Sequence, residues 1–284
     1  MRVAIPDLVS PSYFPLIAAV ELGFLEAKLD LIYPVTRTYE ELRDGRLDFV
    51  GGAAHAPLYA FKDWRGCKLL CALAQNMYWF LVAQKKLNIR RLSEVKGLRI
   101  GAAPGPADGL KQMLKREGIE AQVGPVPGVV GEKASFGLTA AQALQDGKID
   151  AFWANGMGAE IAVRNGVGAV LLDVRREGSD EWKGYTFPAL VARADVAPEM
   201  AHRAILAVSA AQDVLRKDPG RATAIGRKLF PPAEADLIAE LIRRDLPYYD
   251  AAISQKAFAS MNRFARELGL LSKHVSYGDV VWKD

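Results

Sequence analysis

The chain has 284 residues, half of them hydrophobic and a quarter charged, with a net charge of +4. That is enough to bury a sizeable core in one or two domains of ordinary composition. The basic residues are scattered among acids apart from Lys85-Lys86 and Arg90-Arg91, and no basic stripe or recognition motif for nucleic acid is present.

No apolar run approaches the roughly 18 residues needed to cross a bilayer. Met1 leads straight into a strand-like run, with no signal peptide before it. Two cysteines, Cys67 and Cys71, lie four apart on an expected strand, about 13 Å at ~3.3 Å per residue. They are too far apart for a disulfide and, without neighbouring histidines, make no zinc site, so they read as small apolar filler.

In chain order, residues 2–8 read as a strand, followed by the loop Val9-Ser-Pro-Ser-Tyr13 and a helix over 14–26 that Ser10 or Ser12 can cap. A strand over 29–35 precedes a helix over 39–43 capped by Thr38, with Glu41 at its third position. Strand 49–52 leads into Ala53-Ala-His55-Ala-Pro57 and a short helix ending near Trp64. Strands follow over 68–75 and 79–84, separated by Asn76-Met-Tyr78. After a helical turn at Ser93 come a strand over 98–102, the loop Pro104-Gly-Pro-Ala-Asp108, a helix over 109–117 and a strand over 123–126. A loop over 125–131 precedes a helix capped by Thr139. Trp153-Ala-Asn155-Gly-Met-Gly158 mirrors the loop around His55 and opens a helix over 159–165, before a strand over 169–172. A strand over 185–192 and helices over 198–217, 219–229, 232–243 and 254–267 complete the order, with an apolar tail over 277–282.

One segment occurs twice. Leu42-Arg-Asp-Gly-Arg-Leu-Asp48-Phe-Val-Gly-Gly52 is echoed 102 positions later by Leu144-Gln-Asp-Gly-Lys-Ile-Asp150-Ala-Phe-Trp-Ala154. Each copy closes a helix, turns on Asp-Gly and enters a short strand buried on both faces. Arg2-Val-Ala-Ile-Pro-Asp7 and Leu98-Arg-Ile-Gly-Ala-Ala-Pro104 form an earlier echo. The pattern predicts two similar α/β lobes, each strand–helix–strand–helix–strand. Asp48 and Asp150, at the turns, are expected to accept backbone N–H groups and to be structural.

These turns, together with Pro15-Leu-Ile-Ala-Ala-Val-Glu-Leu-Gly23-Phe-Leu-Glu26 and Leu92-Ser-Glu-Val-Lys-Gly97-Leu-Arg-Ile-Gly101, give a chain that resembles the type II periplasmic-binding fold. Within it the chain is similar to the nitrate/sulfonate/taurine and thiamine-pyrimidine-precursor substrate-binding proteins. The resemblance spans roughly residues 2 to 270. It implies two three-layer α/β lobes joined by a two-strand hinge, a small-molecule ligand, delivery to an ABC permease, a monomer, and a periplasmic location if a signal peptide was removed or missed. A chain that begins natively at Met1 would be cytoplasmic. The expected lobes are 1–82 with 187–284, and 83–186.

Ligands of open α/β sheets lie beyond the carboxyl ends of the strands, here in the expected cleft between lobes. The candidate ligand-binding residues are therefore Ser10, Ser12, Tyr13, His55, Tyr78, Trp79, Gly105, Asp108, Phe136, Thr139, Trp153, Asn155 and Tyr185. Free N–H groups of helix N-termini at 11–13 and 106–109 would suit a carboxylate or sulfonate. Asp108 either caps its helix or favours an amine. His55 is either a ligand or acid–base group, or a loop histidine satisfied by backbone. Trp79 and Trp153 are either ring-stacking or packing residues. With no obvious inward arginine, an aromatic or heteroaromatic ring bearing one polar substituent is the expected ligand, with an aliphatic sulfonate or carboxylate as the alternative.

No metal, cofactor or catalytic set is assigned. A desulfinase of this fold uses a cysteine in the first loop with a histidine and an arginine. Here Ser10 or Ser12 stands in the comparable loop, so that route lacks its thiolate. Cys67 and Cys71 do not reproduce the cysteine-rich run of pyrimidine-forming enzymes of this fold. No P-loop, dinucleotide fingerprint or carboxylate pair is present. An enzyme with His55 as acid–base residue and a cytoplasmic ligand sensor remain as alternatives to a solute-binding protein.

Overall fold

The computed structural model describes residues 1–128 and 135–283. The chain forms two compact units, Met1–Asn76 with Gly184–Asp284, and Met77–Lys183. The chain passes between them twice, at 76/77 and 183/184.

The first unit opens with β1 (Arg2–Ile5), α1 (Phe14–Glu21), β2 (Lys28–Leu31), α2 (Val35–Arg43), β3 (Phe49–Ala53), two short 3-10 turns and β4 (Cys67–Ala72). The second unit then runs β5 (Phe80–Gln84), β6 (Arg99–Ala102), α3 (Pro106–Arg116), β7 (Gln122–Gly124), α4 (Phe136–Gln145), β8 (Ala151–Ala154), α5 (Gly156–Arg164), β9 (Gly168–Asp173), α6 (Val174–Glu177) and α7 (Asp180–Lys183). Back in the first unit come β10 (Pro188–Arg193), α8 (Pro198–Lys217), α9 (Arg221–Leu229), α10 (Pro232–Asp245), α11 (Gln255–Glu267) and α12 (Tyr277–Val280).

The two sheets share one topology. Their orders are β2-β1-β3-β10-β4 and β7-β6-β8-β5-β9. In each, three parallel strands come from the repeat, and the fourth is antiparallel and contributed by a distant part of the chain. β5 pairs with β8 and β9, so it belongs to the second sheet although residues 80–82 fell in the first expected lobe.

Glycines show how the layers close. A Cβ on Gly51 would sit 2.6 Å from Leu16 of α1, and one on Gly52 would sit 2.7 Å from the Tyr39 hydroxyl of α2. Adjacent residues of a strand face opposite sides, so β3 lies between two helical layers whose side chains reach its backbone. Both Asp-Gly turns adopt the same helix stop. Gly45 and Gly147 have φ of 75° and 69°. The next N–H groups reach back to the helix, from Arg46 to Glu41 O at 2.9 Å and from Lys148 to Ala143 O at 3.0 Å. Only glycine takes this left-handed position at no steric cost.

Several expected boundaries move. α2 starts four residues early, at Val35, and Thr38 lies inside it, its hydroxyl donating to Ile32 O and Pro34 O instead of capping. α3 starts at Pro106 rather than 109, and α5 at Gly156 rather than 159. Ser135 occupies the cap position of α4, while Thr139 sits a turn in and bonds Ser135 O at 2.9 Å. The loop expected over 125–131 lies partly outside the described residues. Cys67 and Cys71 are free and buried on β4, as filler would be. The tail adds to the first sheet, Val281 bridging Leu69 in parallel.

Candidate functional site

In the first unit β1, β3 and β4 end at one edge of the sheet, and antiparallel β10 begins there, Pro188 lying opposite Ala53. This brings together the loop after β1, the loop after β3 and the segment entering β10. The Ala54 N–H donates to Phe187 O at 2.8 Å. His55 is buried, and its Nδ1 shares a hydrogen bond of 3.0 Å with the Thr186 hydroxyl. Both His55 and Tyr185 lie against Phe264 of α11. Tyr185 stacks at 4.4 Å with the rings 10° apart, and His55 meets it edge-on at 5.2 Å.

The loop after β1 is held from a distance, because Tyr249 donates its hydroxyl to Pro11 O at 2.7 Å. Ser10, Ser12 and Tyr13 are all buried. The Ser10 hydroxyl is fully buried and has no hydrogen-bond partner among the described residues. Tyr13, not a serine, occupies the cap position of α1.

In the second unit the same construction places the ends of β6 and β8 beside the start of β5, with Phe80 opposite Ala154 and Asp173. Tyr78 and Trp79 are buried with ring centroids 4.1 Å apart. Arg175, only 2% exposed, lies with its guanidinium 5.7 Å from the Tyr78 centroid. Arg175 is a buried arginine that the sequence reading did not pick out; it lies two residues past the end of β9, in α6.

Trp153 is wholly buried in β8 and donates its indole N–H to Pro106 O at 2.9 Å. Asn155 caps α5, its side chain accepting from the N–H groups of Met157 and Gly158. Gly105 precedes α3 with φ of 85°, and Asp108 stands in its first turn, where a carboxylate complements the helix dipole. Phe136 is the buried first residue of α4 and Thr139 is half-buried a turn later.

The expected free N–H groups are largely spoken for. Those of Tyr13 and Phe14 bond Ser10 O and Pro11 O, and those of Ala107 and Asp108 bond Ala103 O and Gly105 O. The turns at the two helix starts thus close on themselves. Phe264, on a helix far along the chain, was also missed. Its place in an amphipathic pattern marks it as buried without saying what it touches.

Among the described residues no group of His, Cys, Asp and Glu could hold a metal ion. No described helix is long and apolar enough to cross a membrane.

The backbone is similar to solved structures across nearly all of its length. A protein from Bordetella bronchiseptica RB50 superposes with a TM-score of 0.80 at 18% identity, covering 100% of this chain and 94% of that one. The alkanesulfonate-binding protein SsuA from Xanthomonas axonopodis pv. citri, bound to MOPS, gives 0.76 at 15% identity, covering 99% and 97%. The periplasmic aliphatic sulphonate binding protein SsuA from Escherichia coli gives 0.72 at 16% identity, covering 100% and 92%. These likenesses establish the two-lobe α/β fold. No curated protein matches the sequence. The family model described as NMT1/THI5 like matches residues 10–222, three-quarters of the sequence, and the chain belongs to that family.

Proposed function

We propose that the chain is a solute-binding protein that captures a small organic molecule on the carboxyl-edge loops of its sheets and delivers it to an ABC-type permease, as a monomer in the periplasm. The family and the sulfonate-binding structures of the same fold support this reading. The observation that carries it is the Ser10 hydroxyl, fully buried and unpaired among the described residues, in the loop where such sheets take ligands. An unsatisfied buried hydroxyl costs about 1–3 kcal/mol, and a ligand that bonds it recovers that cost. The surroundings are aromatic and neutral-polar, as in pockets that bind by shape with a few placed polar groups.

The ligand class that fits is an aromatic or heteroaromatic ring with one anionic or strongly polar substituent. In the first unit Tyr185, backed by Phe264, offers a ring face, and in the second the Tyr78–Trp79 pair does so, with the buried Arg175 guanidinium over the Tyr78 ring. Trp153 stays with the core. Ser12 and Tyr13 belong to the edge loops of the first unit, where His55, fixed by Thr186, presents an imidazole of set orientation, and Gly105, Asp108, Phe136, Thr139 and Asn155 belong to those of the second. Native mass spectrometry of gently purified protein should show retained ligand. Tryptophan emission should change on titration with aromatic acids or pyrimidines. Saturation by taurine or an alkanesulfonate at micromolar levels, with no response to the aromatic panel, would replace the aromatic class by aliphatic sulfonates. Silence to every small molecule, with no retained ligand, would refute solute binding.

A further inference from the structure

A groove of about 340 Å³ runs along the outer face of α11 in the first unit. One wall is the helix face carrying Phe258, Asn262 and Arg266. The other is the segment His274–Tyr277. Its volume lies within the range of about 300–1,000 Å³ typical of small-molecule sites.

The floor is polar for a reason the hydrogen bonds reveal. Asn262 is 3% exposed, and its Oδ1 accepts from the Trp64 indole N–H at 3.0 Å. Indole only donates, so this bond fixes which way the amide faces. The amide nitrogen, with two donors, is left on the groove side, and no acceptor for it exists among the described residues. Arg266 and His274 stand exposed beside it, and neither has an ion pair among the described residues. Three groups here donate, the Asn262 amide, the Arg266 guanidinium and one N–H of His274 in any protonation state, while Gln255 and Ser276 can donate or accept. The walls are the rings of Phe258 and Tyr277, set edge to face at 5.5 Å, with the Tyr277 hydroxyl already committed to Ile253 O.

We infer that this groove is a second binding site, separate from the carboxyl-edge loops, for a small organic anion. The carboxylate or sulfonate would accept from Asn262 and Arg266, and the apolar body would lie against Phe258 and Tyr277. An amide donor without an acceptor favours an acceptor-rich group, a neighbouring guanidinium favours negative charge, and ring walls favour an organic over an inorganic anion.

The test is chemical-shift mapping on the full chain with benzoate, its neutral counterpart benzamide, and inorganic phosphate. Benzoate should move the Asn262 side-chain NH2 and the Ser276 amide in a saturable way, more tightly than either control. The charge reversal Arg266→Glu should weaken this at least tenfold and leave responses near Tyr185 unchanged. Arg266→Gln, the milder change, should fall between. Unmoved groove resonances, equal affinity for benzamide or phosphate, or a response indifferent to both Arg266 variants would overturn the proposal.

Discussion

Asp48 and Arg2 exchange two hydrogen bonds. The Arg2 N–H donates to Asp48 Oδ2 at 2.7 Å, and the Asp48 N–H donates to Arg2 O at 2.9 Å. Asp150 and Arg99 repeat the arrangement at 3.0 Å and 2.9 Å, and there the guanidinium also grips the carboxylate. The conspicuous aspartates of the repeat therefore staple neighbouring parallel strands at their amino ends, opposite the edge that carries the candidate site. Asp48→Ala and Asp150→Ala should each cost about 1–2 kcal/mol while leaving ligand affinity nearly unchanged. Thermal melting beside a binding isotherm would decide it, and lost binding with unchanged melting would contradict the staple.

The second staple also has a pH signature. Hydrogen bonds from Arg99 hold the Asp150 carboxyl below the usual carboxylate range. A depressed carboxylate contributes stability that is present above its unfolded pKa and is lost as pH falls through the folded one. Asp150→Asn should therefore narrow the gap to the parent protein as pH drops below about 4, measured by denaturation at a series of acidic pH values.

Ser10→Ala removes a buried hydroxyl that the free protein leaves unsatisfied. Stability of the free protein should stay level or rise by about 1 kcal/mol, while affinity for the retained ligand falls. A stabilised variant with full affinity would show that the ligand does not use this hydroxyl.

The amino ends of α4 and α5 meet where Gly137 and Gly158 pass backbone to backbone. A Cβ on Gly158 would lie 2.6 Å from Gly137 O. Gly158→Ala should cost about 1–3 kcal/mol and disturb ligand binding, because Asn155, which caps α5, is a candidate site residue. Gly124→Ala, which meets nothing within 4 Å, is the control and should be near neutral.

Burial pushes both thiols, Cys67 and Cys71, up to about 12. Native protein at neutral pH should resist alkylation by iodoacetamide at both, and protein unfolded in denaturant should take up two labels. Rapid labelling of folded protein would mean that β4 opens readily.

The sequence by itself determined the doubled architecture. Helix stops and strand entries are local, so an Asp-Gly turn followed by an apolar run announces both at once, and the tandem repeat announced both sheets. The long C-terminal helices were equally legible, α8 to its end residues, with proline opening α8 and α10 and Ser254 capping α11. The starts of α2, α3 and α5 were not, since proline and small polar residues suit the first helical turn as well as the loop before it.

The tertiary structure alone decided which candidates are already paired within the protein. Trp153 and Asn155 look like Trp79 and Ser10 in composition and loop position. They differ because Pro106 O takes the indole N–H and two helix N–H groups take the amide oxygen. The Ser10 hydroxyl is left over for the opposite reason, as no described neighbour reaches it. Phe264 and Arg175 join the aromatic residues only because β10 and β5 insert as antiparallel strands, drawing Tyr185 and Tyr78 to the sheet edges from distant points in the chain. Residue type and local pattern specify which groups a loop carries. Whether a group is free to meet a ligand depends on long-range partners that pair or spare it, and those are set only when the chain packs.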